Sequence, residues 1–371
     1  MKAIQKQSIS KQEKYYLASQ WQLMWRKFFK HRLAIIGMVI LGLFYLGAVF
    51  CEFVSPYSHE QYNVQEVYLP PQGIHFFDSA TGFHLRPFVY GLKMEEDPET
   101  WEKVYTQDKE KLIPIYFWEK GEKYTFWGLW KGNVHLFGVR DGSIHLFGTD
   151  KLGRDVFSRT FYASRISMSV GLFGVAVSFV LGIFFGGISG YYGGMIDILV
   201  QRMIEFLMAL PVIPLWMALA AAFPPEWSSI KVYFVITLIL SLRGWTGMAR
   251  VIRGRLLQVR EEDFIMAART SGLKEGTIIR KHMIPSVTTF LIVHLTLAVP
   301  SMILGETALS FLGLGIRPPA VSWGTMMQDA QNVRTVMENP WLMIPSLFVV
   351  LTVLAFNFMG DGLRDAADPY K

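Results

Sequence analysis

The sequence has 371 residues and a formal net charge of +6, and 51% of it is hydrophobic while only 18% is charged, against roughly 25% charged in soluble domains. That balance excludes a wholly soluble protein and makes lipid the expected solvent for much of the chain. A single cysteine, Cys51, excludes an internal disulfide and any cysteine-based metal cluster, and the lack of a basic stripe with stacking aromatics outside the membrane flanks argues against nucleic acid as a partner.

Residues 1–32 carry Lys2, Lys6, Lys11, Lys14, Arg26, Lys27, Lys30 and Arg32 against one acid, Glu13. A hydrophobic run follows at 33–54, about long enough to cross a ~30 Å hydrocarbon core. Lysine and arginine before the first span place the amino terminus in the cytoplasm. The run is longer than a signal-peptide core and no small-residue cleavage site follows, so it reads as a retained anchor.

Hydropathy then collapses over residues 55–150, which hold fourteen acidic and nine basic residues. This segment is expected to be a small extracytoplasmic insert. Its apolar stretches at 113–118, 124–130, 134–139 and 144–147 are short, aromatic and β-branched, as strands are. The tetrad His-Leu-Phe-Gly at His135 and again at His145 flanks Asp141-Gly142, which suggests a hairpin turning there. Two facing histidines without carboxylate or thiolate partners make a poor ligand set, so a structural role is expected for both.

A core at 151–371 holds five further apolar stretches, at 166–191, 198–223, 230–248, 287–311 and 341–359. Six spans return the carboxyl terminus to the cytoplasm, despite the acids Asp361, Asp365 and Asp368 in that tail. Arg243 is expected near the cytoplasmic end of the fourth span, snorkelling outward. Pro211 and Pro214 are expected to kink the third span, and Gly182, Gly186, Gly187 and Gly190 to serve close packing of the second. The loop at 249–286 falls inside, with eight basic residues against Glu261, Glu262, Asp263 and Glu275.

Within that loop, Glu262-Asp263-Phe264-Ile265-Met266-Ala267-Ala268-Arg269-Thr270-Ser271-Gly272 leads to Lys281-His282-Met283-Ile284-Pro285. Small alanines permit close docking of a short helix, and Gly272 is placed to end it with a left-handed cap. The segment resembles the EAA loop of ABC importer permeases: Ala267, Ala268, Gly272 and Pro285 fall in register, while Met266 stands where the family usually has glutamate. Glu262 or Asp263 is expected to supply the missing acid near the helix start, where it favours the dipole.

Three further segments resemble the second permease subunit of oligopeptide and dipeptide importers. They are Gly148-Thr149-Asp150-Lys151-Leu152-Gly153-Arg154-Asp155, the run Glu306 to Gly315 with Pro318-Pro319 and Ser322-Trp323-Gly324, and Asn357 to Asp365 with Asp368-Pro369. The insert departs from typical members. The resemblance implies an all-α polytopic membrane protein of the type I importer permease fold, with six helices and a β-rich insert between the first two.

It further implies a non-catalytic subunit that forms half of a peptide translocation path with a homologous permease subunit. Two cytoplasmic ATP-binding subunits would bind ATP and magnesium, and a soluble extracytoplasmic substrate-binding protein would deliver short peptides. No Gly-x-x-x-x-Gly-Lys-[Ser/Thr] phosphate loop occurs in the chain, consistent with no cofactor of its own. Glu306, Ser310 and Asn357 are the candidates for the path, since a buried acid in a span faces a bundle interior or a watery route. The same branch resembles nickel, opine and oligosaccharide systems, and an ion-coupled transporter is the remaining rival. The insert is expected to contact the receptor or the companion permease.

Overall fold

The computed structural model describes residues 20–79, 82–96, 103–224 and 226–367, so most of the basic amino-terminal stretch, Asp368-Pro369 and Lys371 lie outside the described residues. It opens on a short helix α1 (Gln20–Phe28) and the apolar α2 (Arg32–Val49), capped by the His31 imidazole accepting from the Ala34 amide at 3.2 Å. With 18 residues, α2 spans about 27 Å at 1.5 Å per residue. One turn, α3 (Cys51–Val54), ends this arm.

The insert follows as two antiparallel sheets. In the first, β1 (His75–Asp78), β2 (Gly82–Glu96) and β3 (Lys103–Pro114) lie in sequence order; in the second, β4 (Tyr116–Phe126) pairs with β5 (Trp130–Gly138). The expected stretch 113–118 is thus two strands, parted where Pro114 ends one ladder and the Ile115 amide donates to the Pro87 carbonyl. Val89, Ile113, Ile115, Phe137 and Ile144 form a small core that packs against Phe157 at the entry to the bundle.

The hairpin expected at Asp141-Gly142 is absent. The chain turns instead at residues 127–129, so that His135 lies opposite Glu119 and not opposite His145. Positive φ at Trp127 and Gly128 makes the reversal, whereas residues 144–147 leave the sheet as Ile144 enters the core and two carboxylates hold His145.

Four long apolar helices complete the bundle with one bent pair. They are α4 (Val156–Tyr192), the pair α5 (Gly194–Ala209) and α6 (Val212–Ala221), α7 (Ser229–Val259), then after the short α8 (Asp263–Thr270) and α9 (Glu275–Ile278) the long α10 (Ile284–Phe311). Two small helices, α11 (Trp323–Met326) and α12 (Val333–Glu338), precede the terminal α13 (Ile344–Ala367).

The expected third span, 198–223, is broken rather than kinked: α5 and α6 meet at 82°. Pro211 has no amide hydrogen for the helical ladder and drives Leu210 into extended backbone, φ −72° and ψ 131°. The helix α7 runs eleven residues past 248, the expected end of the fourth span. Arg243, with sixteen residues of α7 after it, is half-buried and its Nε is unbonded.

α4 lies along α7, and α13 bridges α2 and α10. Glycines set the first contact: a Cβ on Gly182 would stand 2.6 Å from Met248 Cγ, and one on Gly190 3.0 Å from Leu256 Cβ. At one end of the bundle, Met24 and Phe28 of α1 pack with Leu363 and Ala366 of α13. At the other, Arg165 of α4 makes a two-pronged ion pair with Glu52 of α3, at 2.6 and 2.7 Å. Its signal in the sequence is an acid closing one span and a base opening the next at the same face.

Candidate functional site

The helix α8 is joined to α7 by a three-residue turn and to α10 through α9, so the connection forms an elbow at the end of two long core helices. Glu262 occupies the N-cap position in extended backbone without a side-chain cap bond, and Asp263 sits in the first turn. Both are exposed, and their charge favours the positive end of the helix dipole.

The far end closes by a Schellman motif. The Leu273 amide donates to the Ala268 carbonyl at 3.3 Å and the Gly272 amide to the Arg269 carbonyl at 3.0 Å, with Gly272 at φ +73°. Only glycine takes that conformation without a Cβ penalty.

The two faces of α8 differ sharply. Ile265 and Ala268, 0% and 7% exposed, pack inward with Ile252 and Leu256 of α7, Ile278, Met283 and Val287. Phe264, Met266 and Ala267 point away from the bundle with Leu273 beyond them. Of the two alanines singled out in the sequence, Ala268 therefore roots the elbow in the bundle and Ala267 lies on its exposed face. Met266, in the position of the family glutamate, is 49% exposed on the outward face.

The return into α10 is a π-helical turn over Ile279–Met283, in which the Ile284 amide donates back to the Ile279 carbonyl. Pro285 in the first turn of α10 lacks the amide that would continue the ladder, which accounts for the widened turn. α4 also touches the elbow: Tyr192 donates its hydroxyl to Glu275 at 2.8 Å, and the Arg269 guanidinium lies 5.0 Å from the Tyr191 ring centroid. Nearby, Arg253 of α7 is paired through two contacts with Asp197 of α5. The elbow is thus tied to α4, α7 and α10 by packed side chains.

Glu306 and Ser310 come together at the opposite end of α10, both 0% exposed. Ser310 donates to one Glu306 oxygen at 2.6 Å and Ser167 of α4 to the other at 3.1 Å. The two hydroxyls in turn accept backbone amides, Ser310 from Ile316 and Ser167 from Trp323, each at 3.1 Å. The carboxylate is the hub that ties the loop after α10 to α4. Asn357 lies apart on α13, half-buried.

The block before α4 is built around a second hub that sequence reasoning left as an isolated histidine. His145 Nδ1 lies 2.9 Å from Asp155 and Nε2 3.3 Å from Glu66, while Asp155 caps α4 by accepting the Ser158 amide at 2.7 Å. Burial opposes the imidazolium, yet the hydrogen bonds to Asp155 and Glu66 outweigh it and raise His145 from 6.5 to about 9. The His145 hydrogen bond, against burial, brings Glu66 down from 4.5 to about 2.

A raised histidine contributes stability that is fully present below its unfolded value and is lost as pH rises through the folded one. The purified protein in detergent is therefore expected to lose melting temperature as pH rises from 6.5 towards about 9, and His145→Gln to flatten that slope. Parallel pH profiles for the two proteins would refute the assignment.

Long apolar helices and a bundle that ends in a rooted elbow with one exposed face define a multi-pass membrane protein. Residues 182–370 match the family described as binding-protein-dependent transport system inner membrane component, and residues 19–71 match the N-terminal transmembrane domain of oligopeptide transport permease C. The dipeptide transport system permease protein DppC of Bacillus subtilis is 34% identical over 353 residues, 95% of this chain and 86% of the relative. DppC of Lactococcus lactis is 32% identical over 95% of this chain and 91% of its own length, and the oligopeptide permease OppC of Haemophilus influenzae is 41% identical over 60% and 69%.

Among solved structures, an inward-facing MetNI methionine ABC transporter chain aligns over 54% of this chain and 93% of its own, at 17% identity and a TM-score of 0.39. The chain belongs to the binding-protein-dependent inner membrane components, the permeases of ABC importers, in their oligopeptide and dipeptide branch.

Proposed function

We propose that this chain forms half of the translocation path of an ATP-driven peptide importer, and that the α8 elbow receives the motion of a cytoplasmic ATP-binding subunit. The observation that carries the reading is the division of α8 into an inward face at Ile265 and Ala268 and an outward one at Phe264, Met266 and Ala267. Relatives named for dipeptide and oligopeptide transport support a peptide cargo. A homologous permease would complete the path, two ATP-binding subunits would hold ATP and magnesium, and an extracytoplasmic binding protein would deliver substrate.

In this reading the bent pair α5–α6 counts as one span, giving six. Packing of α1 against the end of α13 supports both termini on one side, the cytoplasmic one given the basic amino-terminal stretch, with residues 55–150 outside. The burial of Glu306 and Ser310 favours a tie between spans for that pair and leaves half-buried Asn357 as the path candidate.

The chain has one cysteine, and it is buried, so cysteine chemistry at the elbow has a clean background. A cysteine at Met266 is expected to cross-link to the ATP-binding subunit in the assembled importer, with a yield that changes with nucleotide, whereas one at inward-facing Ala268 is not. Equal yields at the two positions, or none at Met266 in any nucleotide state, would remove the coupling role.

A further inference from the structure

The tip of the β4–β5 hairpin is built from residues that a soluble loop avoids. Phe126-Trp127-Gly128-Leu129-Trp130 turns through a Phe126–Leu129 hydrogen bond of 2.9 Å, with φ +51° at Trp127 and +72° at Gly128. Left-handed backbone at a bulky residue costs on the order of 1–3 kcal/mol and persists only where the surroundings hold it. They hold it here against the first span: the Trp127 indole donates to the Val49 carbonyl at 3.1 Å, and the Arg165 guanidinium lies 4.3 Å from its ring centroid.

Two more ring contacts fasten the hairpin to the same turn, Phe126 on Phe50 at 5.6 Å and Trp118 on Phe53 at 5.1 Å. The hairpin therefore reaches back to the end of α2 rather than standing away from the bundle. What it leaves open is apolar, with Leu129 71% and Trp130 66% exposed.

That surface continues the open stripe of α2, where Leu43, Leu46 and Val49 recur at helical spacing and, with Phe50 just past the helix end, are likewise exposed. A stripe of this kind on a membrane-spanning helix faces acyl chains. Tryptophan at the end of such a stripe sits where hydrocarbon meets headgroups, its ring apolar and its N–H satisfied. Lys131, next to Trp130, and Lys123, four residues before Trp127, are both exposed, and such long side chains can carry an ammonium to lipid phosphate.

We infer that the β4–β5 hairpin is an interfacial membrane anchor, its Leu129–Trp130 edge seated in the headgroup region of the bilayer beside the first span. The occupant is lipid because the patch is continuous with the lipid-facing stripe of α2, and the contacts at Val49, Phe50 and Phe53 fix its depth at the end of that span. The inference does not rest on a peptide cargo or on coupling through α8; it requires only that α2 crosses the membrane.

A nitroxide spin label on a cysteine at Leu129, in a Cys51→Ala background of the assembled importer in phosphatidylcholine and phosphatidylglycerol nanodiscs, tests it. Collision of the label with oxygen, which concentrates in lipid, is compared with collision with a water-soluble nickel chelate. Labels at Leu43 on the open stripe of α2 and at Lys109 on exposed β3 supply the lipid and water references. The oxygen-to-nickel ratio at position 129 is expected to shift well above that at 109 and to remain below that at 43. A ratio equal to that at 109 would place the tip in water, and low collision with both reagents would place it against protein, such as the companion permease; either overturns the anchor.

Discussion

Alanine at Gly186 is expected to unseat the α4–α7 pair, while alanine at its neighbour Gly187 leaves the protein intact. Helix propensity alone predicts the same gain for both, about 1 kcal/mol each in a helix interior. Space decides otherwise. A Cβ at position 186 would lie 2.5 Å from the Ala249 carbonyl oxygen and 3.0 Å from Ile252 Cβ, and the first of these is backbone that no rotamer change can move. At position 187 the nearest atom is Ile279 Cγ2 at 3.9 Å, an ordinary contact.

Forcing a methyl into a filled seam costs typically 1–3 kcal/mol, so the sign reverses at 186 and not at 187. Because Gly182 and Gly190 close the same seam one turn away on either side, relief at one point strains the others. The measurement is the melting temperature and the yield of folded protein in detergent. Gly186→Ala should lower both and Gly187→Ala neither; indistinguishable variants would mean that the seam is looser than its glycines indicate. Since α7 ends three residues before α8, a variant that folds with a parted seam should also transport poorly.

The long apolar helices were legible because hydropathy over twenty residues is a strong signal, and the short helix α8 was legible because Gly272 and the alanines before it permit few alternatives. What composition along the chain does not report is direction within an element. The burial of Ala268 beside the exposure of Ala267 depends on which turn of α8 meets Ile252 and Leu256, a tertiary fact. The bend at Pro211 was foreseen as a kink and is a break, because Leu210 adopts extended backbone and the ladder restarts rather than bends.

The insert was read least well. Its repeated His-Leu-Phe-Gly tetrad drew attention to Asp141-Gly142, a favourable turn pair, while the chain reverses at Trp127-Gly128, a pairing that local propensity disfavours. Contacts with Val49 and Arg165, distant in sequence, hold that turn. The ties of His145 to Glu66 and of Arg165 to Glu52 escaped for the same reason, since each joins residues more than seventy positions apart.

Glu306 decides whether the acid deep in α10 is a tie or a path residue, and two substitutions separate the answers. Leucine removes the acceptor for two buried hydroxyls, those of Ser167 and Ser310, and a buried donor left unsatisfied costs about 1–3 kcal/mol. Each serine can recover part of that by turning to the carbonyl four residues back on its own helix, so the net loss falls at the lower end. It is still felt at a distance, because these hydroxyls also receive the Ile316 and Trp323 amides that seat the loop after α10. Glu306→Leu is thus expected to lower melting temperature and uptake together. Glutamine keeps the size and one good acceptor, so Glu306→Gln should retain most of both if the group acts as a tie. Uptake abolished in Glu306→Gln at unchanged yield and melting temperature would instead assign the carboxylate to the route taken by the substrate.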